Sequence, residues 1–519
     1  MNQHIYPEGC AFGTIEDIKD KKVTVMGLGL NGGGEATVKF FLKHGAYVTV
    51  TDMKTPEQLK PTIDSIAADA STDTSRLTYH LGSHIIEDFS NADCVIKNPG
   101  VKYDDNIYLN AAKAIETDIS IFLHFSRAPI IAVTGSKGKS STVSAIHYGL
   151  QQAGFTAFLG GNITVSPLTF LEQTNETTPV VLELSSWQLA DLRGRRALKP
   201  RIAVITKIVP DHQNWYGSME SYVADKRLIY ADQTADDYTI LDADDDEPGT
   251  GPAAGGTWGD LFASETKGTV LRYSKKPLPA ATYGAWQETH EDGFSGRMRL
   301  PAQSGTILSG LIVPGAHMRT NALNAALVLV LMGVAPEKAD AILARWPGIP
   351  HRLQYFHQYT HSGSKHGTAA GAGSYSIRFY NDSCATVPEA AAAASQAFGK
   401  PVIFITGGTD KQLSFAPLAA VLGCNDAAAI PVKALYLLAG TGTDKLTPLL
   451  DKENIIYNGP YNSLDDLLQD IKDSADAVCC STEKTDIAVF SPGATSFGMF
   501  ANEFDRGNQF MDKVRRIFS

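Results

Sequence analysis

A turn rich in glycine and lysine carries the residues best suited to chemistry. It follows the apolar run Ile130–Val133 and reads TGSKGKSS. Glycines let backbone N–H groups point at phosphate oxygens, a lysine neutralises the phosphates, and the hydroxyl beside it can bind Mg²⁺. The standard pattern has a glycine where Val133 stands, so the loop is a variant form. We expect a strand, a phosphate-binding loop and a helix start that bind a nucleoside triphosphate; the alternative is a turn that binds nothing.

Other polar side chains stand where predicted strands end, which is where α/β proteins build their sites. Glu183 closes the strand Pro179–Glu183, and its carboxylate suits Mg²⁺, which takes hard oxygen ligands. Its alternative is a solvated acid near a helix start. Seven further polar residues are each weak evidence of function when taken alone, because such groups are usually structural or solvated. They are Asp211, His212, Lys226, Arg352, Asp382, Lys411 and Ser496.

The first segment predicts a βαβ unit. A strand at Lys22–Met26 is followed by GLGLNGGG, by a helical stretch to about His44, and by a strand at Ala46–Thr51 that closes on Asp52. The glycines form G-x-G-x-x-G, and Asp52 has the spacing of a ribose-binding acid. A further strand, Ala92–Lys97, ends in Asn98-Pro99-Gly100. Taken alone, this segment indicates a Rossmann-like nucleotide site.

The rest of the chain also alternates strands and helices. The second segment begins near Ala128, and we interpret Asp242–Gly310 as an irregular, β-rich insertion with mobile loops. A linker at 347–350 opens a third segment, in which Tyr359–Ser374 is interpreted as a flexible hairpin tip. Alternation of this kind predicts largely parallel sheets. The strands predicted in these two segments, besides those named above, are Ile202–Ile208, Ile377–Tyr380, Val402–Thr406, Ala434–Ala439 and Ile487–Phe490. A helix is predicted at Asn321–Leu331.

Composition narrows the class of protein. The 519 residues carry a net charge of −11, which disfavours non-specific binding to nucleic acid or anionic membranes. The N-terminus lacks the apolar core of a secretory signal, and no apolar run reaches the ~20 residues of a membrane span. The six cysteines form no Cys-x-x-Cys pattern. We expect a reduced, cytoplasmic monomer without structural zinc.

The motifs, taken in order, resemble those of the Mur ligases of peptidoglycan synthesis. The resemblance covers nearly the whole chain, in GLGLNGGG, NPG, TGSKGKSS, GGNIT, ELSSWQL, PDHQNWYGSMESYVADKRLIY, PGAHMRTNAL, GIPHRL, NDSCATVPEA, GGTDKQLSF and SPGATSFGMFANEFDRG. It implies an α/β protein of three domains. These are a Rossmann-like UDP-binding domain at 1–126, a central ATP-binding domain with a mostly parallel sheet at 127–347, and a Rossmann-like amino-acid-binding domain at 348–519.

The resemblance also implies ATP-dependent amide formation. A carboxylate attacks the γ-phosphate of ATP, and an amine then attacks the resulting acyl phosphate. The implied substrates are ATP, UDP-N-acetylmuramoyl-L-alanine and D-glutamate. Two Mg²⁺ sites are implied, one at Ser140 and Glu183 and one at His212 and Lys226, with Lys226 carrying a carbamate derived from CO₂. The implied catalytic residues are Lys139, His212 and Lys226.

The remaining implied contacts fall into three groups. ATP would be held by Gly135, Ser136, Lys137, Gly138, Lys139, Ser140, Ser141, Asn321, Arg352 and Asp382. The UDP substrate would be held by Gly27, Leu30, Asn31, Gly32, Asp52, Asn98, Asn162, Ser185 and Gln188. The incoming amino acid would be held by Thr386, Lys411, Ser496 and Phe497.

The sequence departs from the family pattern at three positions. Met318 stands where the family has Asn, Cys384 where it often has Lys, and Glu503 where many members have an aromatic residue. These departures leave open a Mur ligase that adds a different amino acid and an inactive paralogue that only binds the UDP-sugar peptide. An NAD-binding oxidoreductase, suggested by GLGLNGGG and Asp52, is a further alternative. The N-terminal nucleotide-binding segment argues against a folylpolyglutamate synthase, which lacks one.

Overall fold

The computed structural model describes residues 4–163, 165–244, 249–253, 255–290, 293–362, 374–423, 430, 432–476 and 484–519. Within these residues the chain forms three sheets, of five, nine and six strands, that follow one another along the sequence. The backbone divides into two compact units. One comprises Met1–Gly310 and Arg319–Ala344, and the other comprises Leu311–Met318 and Arg345–Ser519.

The first sheet is a parallel, doubly wound sheet with the strand order β3-β2-β1-β4-β5. The chain reverses direction across the sheet between β1 and β4, where such sheets bind their ligands. The order confirms the Rossmann-like prediction for this segment. The strands are β1 (Lys22–Met26), β2 (Tyr47–Asp52), β3 (Leu77–Leu81), β4 (Cys94–Lys97) and β5 (Ile115–Glu116), and the helices are α1 (Gly33–Lys43), α2 (Pro56–Ala67), α3 (Ile86–Ser90), α4 (Ile107–Asn110) and α5 (Asp118–Phe125).

A close backbone approach fixes the turn between β1 and α1. A Cβ placed on Gly34 would lie 2.2 Å from the carbonyl oxygen of Leu28, so only glycine fits there. The helix then buries Val38, Phe41 and Leu42 in the apolar core. The turn and the apolar face together hold the glycine loop at the carboxyl end of β1.

The second sheet has the order β14-β13-β12-β11-β10-β9-β6-β8-β7 and is parallel from β7 to β12. The last two pairings, β12–β13 and β13–β14, are antiparallel. Its strands are β6 (Ile130–Thr134), β7 (Phe158–Gly161), β8 (Val180–Glu183), β9 (Ile202–Ile205), β10 (Tyr238–Asp242), β11 (Thr269–Ser274), β12 (Gly284–His290), β13 (Gly293–Leu300) and β14 (Gln303–Leu308). Its helices are α6 (Lys139–Ala153), α7 (Ser186–Ala190), α8 (Gln213–Tyr216), α9 (Met219–Lys226), α10 (Trp258–Glu265), α11 (Ala316–Leu331) and α12 (Pro336–Leu343).

The segment Asp242–Gly310 is β-rich, as predicted, but the prediction of an irregular insertion is wrong. It supplies β11–β14 and α10, which extend the central sheet. Alternating burial along β13 and buried residues at the end of β14 show why these strands pair. Mobile loops were also predicted in this segment, and its residues 245–248, 254 and 291–292 lie outside the described residues.

The third sheet has the order β15-β16-β20-β17-β18-β19 and is parallel except for the hairpin β15–β16. The ends of the predicted hairpin tip, Tyr359–Ser362 and Ser374, belong to the strands of that hairpin, and residues 363–373 lie outside the described part. The strands are β15 (Gln354–Ser362), β16 (Ser374–Asn381), β17 (Ile403–Gly407), β18 (Ala434–Leu438), β19 (Asn458–Tyr461) and β20 (Lys484–Phe490). The helices are α13 (Pro388–Gln396), α14 (Ala416–Gly423), α15 (Thr441–Lys452), α16 (Leu464–Asp476) and α17 (Glu503–Ile517).

None of the helices found in the described ranges combines the length and apolar character needed to cross a membrane.

Candidate active site

The glycine-lysine loop joins β6 to α6, as predicted. Gly138 has φ +95° at the start of α6, and Gly135 has φ +141°. A Cβ on Gly135 would lie 2.0 Å from Oγ1 of Thr206, and one on Gly138 would lie 2.5 Å from Oδ1 of Asn321. Both positions therefore require glycine, because the loop packs tightly on the end of β9 and on α11. Asn321, expected at the nucleotide, lies beside the loop.

The ammonium of Lys139 folds back over this loop. Its Nζ donates to the carbonyl oxygens of Gly135 at 2.9 Å and Ser136 at 3.0 Å. Burial lowers the pKa of Lys139. Ser140 and Ser141 follow in the first turn of α6, where free N–H groups favour an anion. The loop thus brings a cation, hydroxyls and a helix N-terminus to one place.

Glu183 lies beside the loop with half of its carboxylate unused. Strand pairing sets Glu183 opposite Val133, which stands just before the loop. Its Oε1 accepts a 2.9 Å hydrogen bond from Nδ2 of Asn162. Its Oε2 is buried and accepts no hydrogen bond from the described residues, and the residue is only 2% exposed. A buried, unpartnered carboxylate oxygen beside a serine-bearing phosphate loop fits a Mg²⁺ ligand.

Lys226 reaches the same loop from α9. It is 1% exposed, and its Nζ donates to the carbonyl oxygen of Gly135 at 2.9 Å. Burial and the nearby charge of Lys139 lower the pKa of Lys226 to about 7. A lysine with this pKa is uncharged in about half of the molecules at neutral pH, so its amine is available as a nucleophile. The sequence had given no sign that this helical lysine is buried.

His212 stands near this group on a strained backbone. Its φ is +52°, and the side chain of Asp211 accepts a 3.0 Å hydrogen bond from its backbone N–H. Its ring packs 5.1 Å from the ring of Trp187, centre to centre, and remains partly exposed. Lys137 pairs with Asp211 at 3.3 Å. The strained backbone and the aromatic contact together orient the imidazole.

A cleft of about 340 Å³ lies between the glycine loop after β1 and the segment around α7. Asp118 and Trp187 line it as well, although the sequence did not single them out. Asp118 is half-buried, and its partial removal from water raises its pKa because this disfavours the charged form. Seven of the residues predicted to hold the UDP substrate line this cleft: Gly27, Leu30, Asn31, Asn98, Asn162, Ser185 and Gln188.

Asp52 and Gly32 are not among the residues that line the cleft. Oδ2 of Asp52 accepts from the N–H of Gly29 at 3.1 Å, and Oδ1 accepts from the N–H of Lys54 at 2.9 Å. Asp52 therefore shapes the glycine loop through both of its oxygens, and its role as a ribose ligand stays a prediction. Gly32 is the left-handed residue at the start of α1, with φ +83°.

A second cavity, of about 420 Å³, shares Lys97, Pro99 and Trp187 with the cleft. Trp215 packs 4.8 Å from Trp187, centre to centre, and the Nζ of Lys102 lies 4.0 Å from the centre of the Trp215 ring. The sequence reasoning missed this cavity, because it is built from segments far apart in the chain.

In the second unit, the predicted residues gather where β16, β20 and β17 end. Oδ1 of Asp382 accepts from the N–H of Leu353 at 3.1 Å, and Oδ2 accepts from the hydroxyl of Ser491 at 2.7 Å. Burial raises the pKa of Asp382 to about 6. Arg352 stands between two residues with positive φ, His351 and Leu353. Such a strained turn is typical of a functional segment.

The loops that carry Lys411 and Ser496 are joined to each other. The N–H of Thr495 donates to the carbonyl oxygen of Thr409 at 3.0 Å. Lys411 is exposed, Ser496 is buried, and Phe497 is 66% exposed, while Thr386 is half-buried in the loop after β16. The predicted amino-acid-binding residues therefore lie on loops at one edge of the third sheet.

Arg506 is a buried residue of this edge that sequence reasoning missed. Its guanidinium donates to the Ser383 carbonyl oxygen at 2.8 Å, the Ser383 hydroxyl at 3.0 Å and the Ala494 carbonyl oxygen at 2.9 Å. The Glu503 carboxylate acts electrostatically on Arg506 and on Cys384. Arg506 thus ties α17 to the loops after β16 and β20, and it brings Glu503 near Cys384.

Two family descriptions match separate parts of this chain, and known proteins match nearly all of it. Residues 133–329 match the family description "Mur ligase middle domain", and residues 21–121 match "Mur ligase MurD-like, N-terminal domain". The UDP-N-acetylmuramoylalanine–D-glutamate ligase of Treponema pallidum is 40% identical across 96% of this chain and 98% of its own. The ligase of the same name from Borreliella burgdorferi (strain ZS7) is 33% identical across 97% of this chain and 99% of its own.

A solved structure shares the fold. A crystal structure of MurF from Acinetobacter baumannii aligns with a TM-score of 0.53 over 90% of this chain and 91% of its own. Its sequence identity is 13%, so the similarity concerns the three-domain α/β fold alone.

Proposed function

Because the chain belongs to the Mur ligase family, we propose that it joins the carboxylate of UDP-N-acetylmuramoyl-L-alanine to the amine of D-glutamate, at the expense of ATP, in peptidoglycan precursor synthesis. The observation that carries the proposal is the convergence of Lys139, Lys226 and Glu183 on one phosphate loop, beside the substrate cleft. The printed names of the relatives supply the substrates.

The proposed reaction has two steps. A carboxylate oxygen of the UDP substrate attacks the γ-phosphorus of ATP, and the bond to ADP breaks. The amine of D-glutamate then attacks the carbonyl carbon of the acyl phosphate; inorganic phosphate leaves, and the nitrogen loses a proton. Both steps depend on positioning and on neutralising negative charge.

The phosphate loop would supply most of that neutralisation. In the proposal, Lys139 exchanges its two carbonyl acceptors for the β- and γ-phosphates. The residues proposed to surround the triphosphate are Gly135, Ser136, Lys137, Gly138, Ser140 and Ser141, and Asn321, Arg352 and Asp382 are proposed to bind ATP as well. Bound Mg²⁺ would offset the repulsion between the triphosphate and the attacking carboxylate. Ser140 and Glu183 would hold one ion, because Glu183 keeps an unpartnered oxygen there.

Lys226 is proposed to work as a carbamate. Its uncharged Nζ attacks the carbon of CO₂ and loses a proton, which leaves an anion with two oxygen donors. The low pKa of Lys226 supports this step, since only the uncharged amine reacts. The carbamate and His212 would hold a second Mg²⁺.

The amino acid is proposed to bind at the edge of the third sheet, through Thr386, Lys411, Ser496 and Phe497. A cation and hydroxyls suit the two carboxylates of D-glutamate. A ligase for a different amino acid is the second candidate, because Glu503 places a negative charge near Cys384. The domain limits at 126/127 and 347/348, a cytoplasmic location and a monomeric state belong to this proposal as well.

A substrate-omission assay tests the proposed function. Purified protein with Mg²⁺ and bicarbonate should release phosphate from ATP only when UDP-N-acetylmuramoyl-L-alanine and D-glutamate are both present. A panel of D-lysine, glycine and L-amino acids in place of D-glutamate tests the second candidate. Absence of turnover with every amino acid would refute the ligase, and tight NAD binding without ATP turnover would favour an oxidoreductase.

A further inference from the structure

A pair of buried charged residues lies beside the substrate cleft. Lys97 ends β4 in the first sheet and is 3% exposed, and Asp191 follows α7 in the central segment and is 5% exposed. The Nζ of Lys97 lies 2.9 Å from Oδ2 of Asp191. Lys97 itself lines the cleft. One ion pair therefore connects the two polypeptide segments between which the cleft opens.

On the side of the first sheet, Lys97 holds the turn that follows it. Its Nζ donates to the carbonyl oxygen of Asn98 at 3.1 Å and to that of Val101 at 2.8 Å. Asn98, Pro99 and Gly100 line the cleft. The ammonium thus makes two hydrogen bonds to carbonyl oxygens and one ion pair with the carboxylate of Asp191. The position of this turn therefore depends on Lys97.

On the central side, Asp191 is held in place from two directions. Its second oxygen, Oδ1, accepts a 3.1 Å hydrogen bond from the hydroxyl of Tyr6. The backbone N–H of Asp191 donates to the carbonyl oxygen of Trp187 at 3.1 Å. Trp187 and Gln188, both on α7, line the cleft opposite the turn at Asn98. Asp191 is thus fixed to the helix that forms the second wall.

We propose that Lys97 and Asp191 form a latch that sets the separation of the two walls and thereby the affinity for the nucleoside diphosphate part of the substrate. Both are positioning residues, which act through the turn at Asn98 and through α7. The inference rests on the proposed function, because it concerns the same cleft and takes a UDP-bearing substrate as its ligand.

The Lys97–Asp191 pair is expected to contribute little to the net stability of the fold. Removing two charges from water offsets most of the attraction between them, and apolar replacements of a buried pair are often neutral for stability. Apolar side chains cannot hold the turn at Asn98 in place, because the carbonyl oxygens of Asn98 and Val101 would lose the donor they share. The latch therefore predicts that an apolar replacement of the pair weakens UDP binding but changes the stability of the fold little.

The chain offers a matched control in a second buried pair. Arg195 and Glu116 lie 2.9 Å apart and are both buried. They also connect the first sheet to the central segment, but neither lines the cleft. Asp191→Asn and Glu116→Gln are the same change, since each neutralises the acid of a buried pair and leaves its cation in place.

The experiment measures the dissociation constant of UDP alone by calorimetry. We expect Asp191→Asn to weaken UDP binding about tenfold, equivalent to about 1.4 kcal/mol, and to raise the KM of the UDP substrate while the KM of ATP stays unchanged. Glu116→Gln should bind UDP as the wild type does. Equal weakening in both variants, or none in Asp191→Asn, would overturn the latch.

A double variant separates positioning from folding. Lys97→Met with Asp191→Leu removes both charges, so its melting temperature should return close to that of the wild type while UDP binding stays weak. Wild-type UDP affinity in this variant would overturn the latch. If it does not fold, the comparison of Asp191→Asn with Glu116→Gln decides. Failure of the proposed function looks different: the wild type itself would then neither bind UDP nor turn over ATP with the UDP substrate.

Discussion

The side-chain amide of Asn162 donates a 2.9 Å hydrogen bond to Oε1 of Glu183, while Oε2 of the same carboxylate is buried without a hydrogen-bond donor among the described residues. Asn162 lines the substrate cleft, and Glu183 ends β8 beside the phosphate loop. The backbone N–H of Asn162 also donates to the carbonyl oxygen of Glu183 at 2.9 Å, so two hydrogen bonds connect the cleft to the proposed Mg²⁺ ligand. They leave one carboxylate oxygen available to a cation.

Glu183→Gln tests that assignment. Glutamine keeps the shape and can still accept from Asn162, but it replaces one carboxylate oxygen by an amide N–H₂, which repels a cation. We expect kcat to fall by about a hundredfold or more, since a charge-stabilising group at the γ-phosphate is lost. UDP affinity measured by calorimetry should change little. Glu176→Gln, at an exposed acid, is the control and should leave kcat unaltered. Full activity in Glu183→Gln would remove Glu183 from the metal site.

Lys226→Arg tests the carbamate. Arginine keeps a long basic side chain that donates hydrogen bonds but cannot react with CO₂, so we expect activity to vanish. In the wild type, ¹³C-labelled bicarbonate should give a carbamate signal in the ¹³C NMR spectrum, and that signal should be missing from Lys226→Arg. Lys60→Ala, at an exposed lysine that pairs with Asp64, is the control and should retain the signal. A signal that persists in Lys226→Arg would contradict the assignment.

The pH dependence of activity follows from the same residue. The pKa of Lys226 is lowered to about 7, so its amine is uncharged above that pH and protonated below it. Only the uncharged form takes up CO₂. Activity at limiting bicarbonate should therefore fall as the pH drops below about 7, and added bicarbonate should partly restore it, which steady-state assays across pH can measure. A profile that is flat through pH 7 and insensitive to bicarbonate would contradict this account.

Asp52→Asn distinguishes a residue that shapes the loop from a direct ligand. Asparagine can accept from only one of the two N–H groups, those of Gly29 and Lys54, that bind Asp52. We expect the KM of the UDP substrate to rise about three- to tenfold, in line with the loss of one ordinary hydrogen bond, with kcat preserved. A rise of a hundredfold or more would indicate that Asp52 binds the ribose directly.

Glu503→Gln tests the charge at the amino-acid edge. The Glu503 carboxylate acts on Cys384 and Arg506, so it adds negative potential where a dianionic amino acid is proposed to bind. Its removal should lower the KM of D-glutamate about two- to fivefold, as expected for one partly screened charge. The KM of ATP serves as the internal control. An increase in the KM of D-glutamate would show that Glu503 helps to bind the amino acid.

Local patterns predicted much of the fold and the site. Short apolar runs followed by glycine or polar residues predicted three features. These are the phosphate loop, the parallel strands around β6, and the strand ends that carry Asp382 and Glu183. The hydrogen bonds from Asp52 to the glycine loop were not predictable, because its spacing fits both a ribose ligand and a residue that supports this loop. The strands β11–β14 were missed as part of the central sheet, since glycine, proline and acids dominate that segment.

Contacts between residues far apart in the chain could not be predicted, for a different reason. Lys97 and Asp191 belong to separate segments, and only tertiary packing buries them together. The same holds for Arg506, whose acceptors, on Ser383 and Ala494, follow different strands. A single sequence carries no signal for such contacts, because burial of a charge depends on what packs around it.

The destination of the γ-phosphate is the central claim, and isotope transfer measures it most directly. UDP-N-acetylmuramoyl-L-alanine labelled with ¹⁸O in its carboxylate is incubated with ATP, Mg²⁺, bicarbonate and D-glutamate, and the released phosphate is analysed by mass spectrometry. We predict one ¹⁸O atom in each phosphate released, because the carboxylate oxygen that attacks the γ-phosphorus departs with it. Unlabelled phosphate would contradict an acyl phosphate and show that ATP is hydrolysed by water.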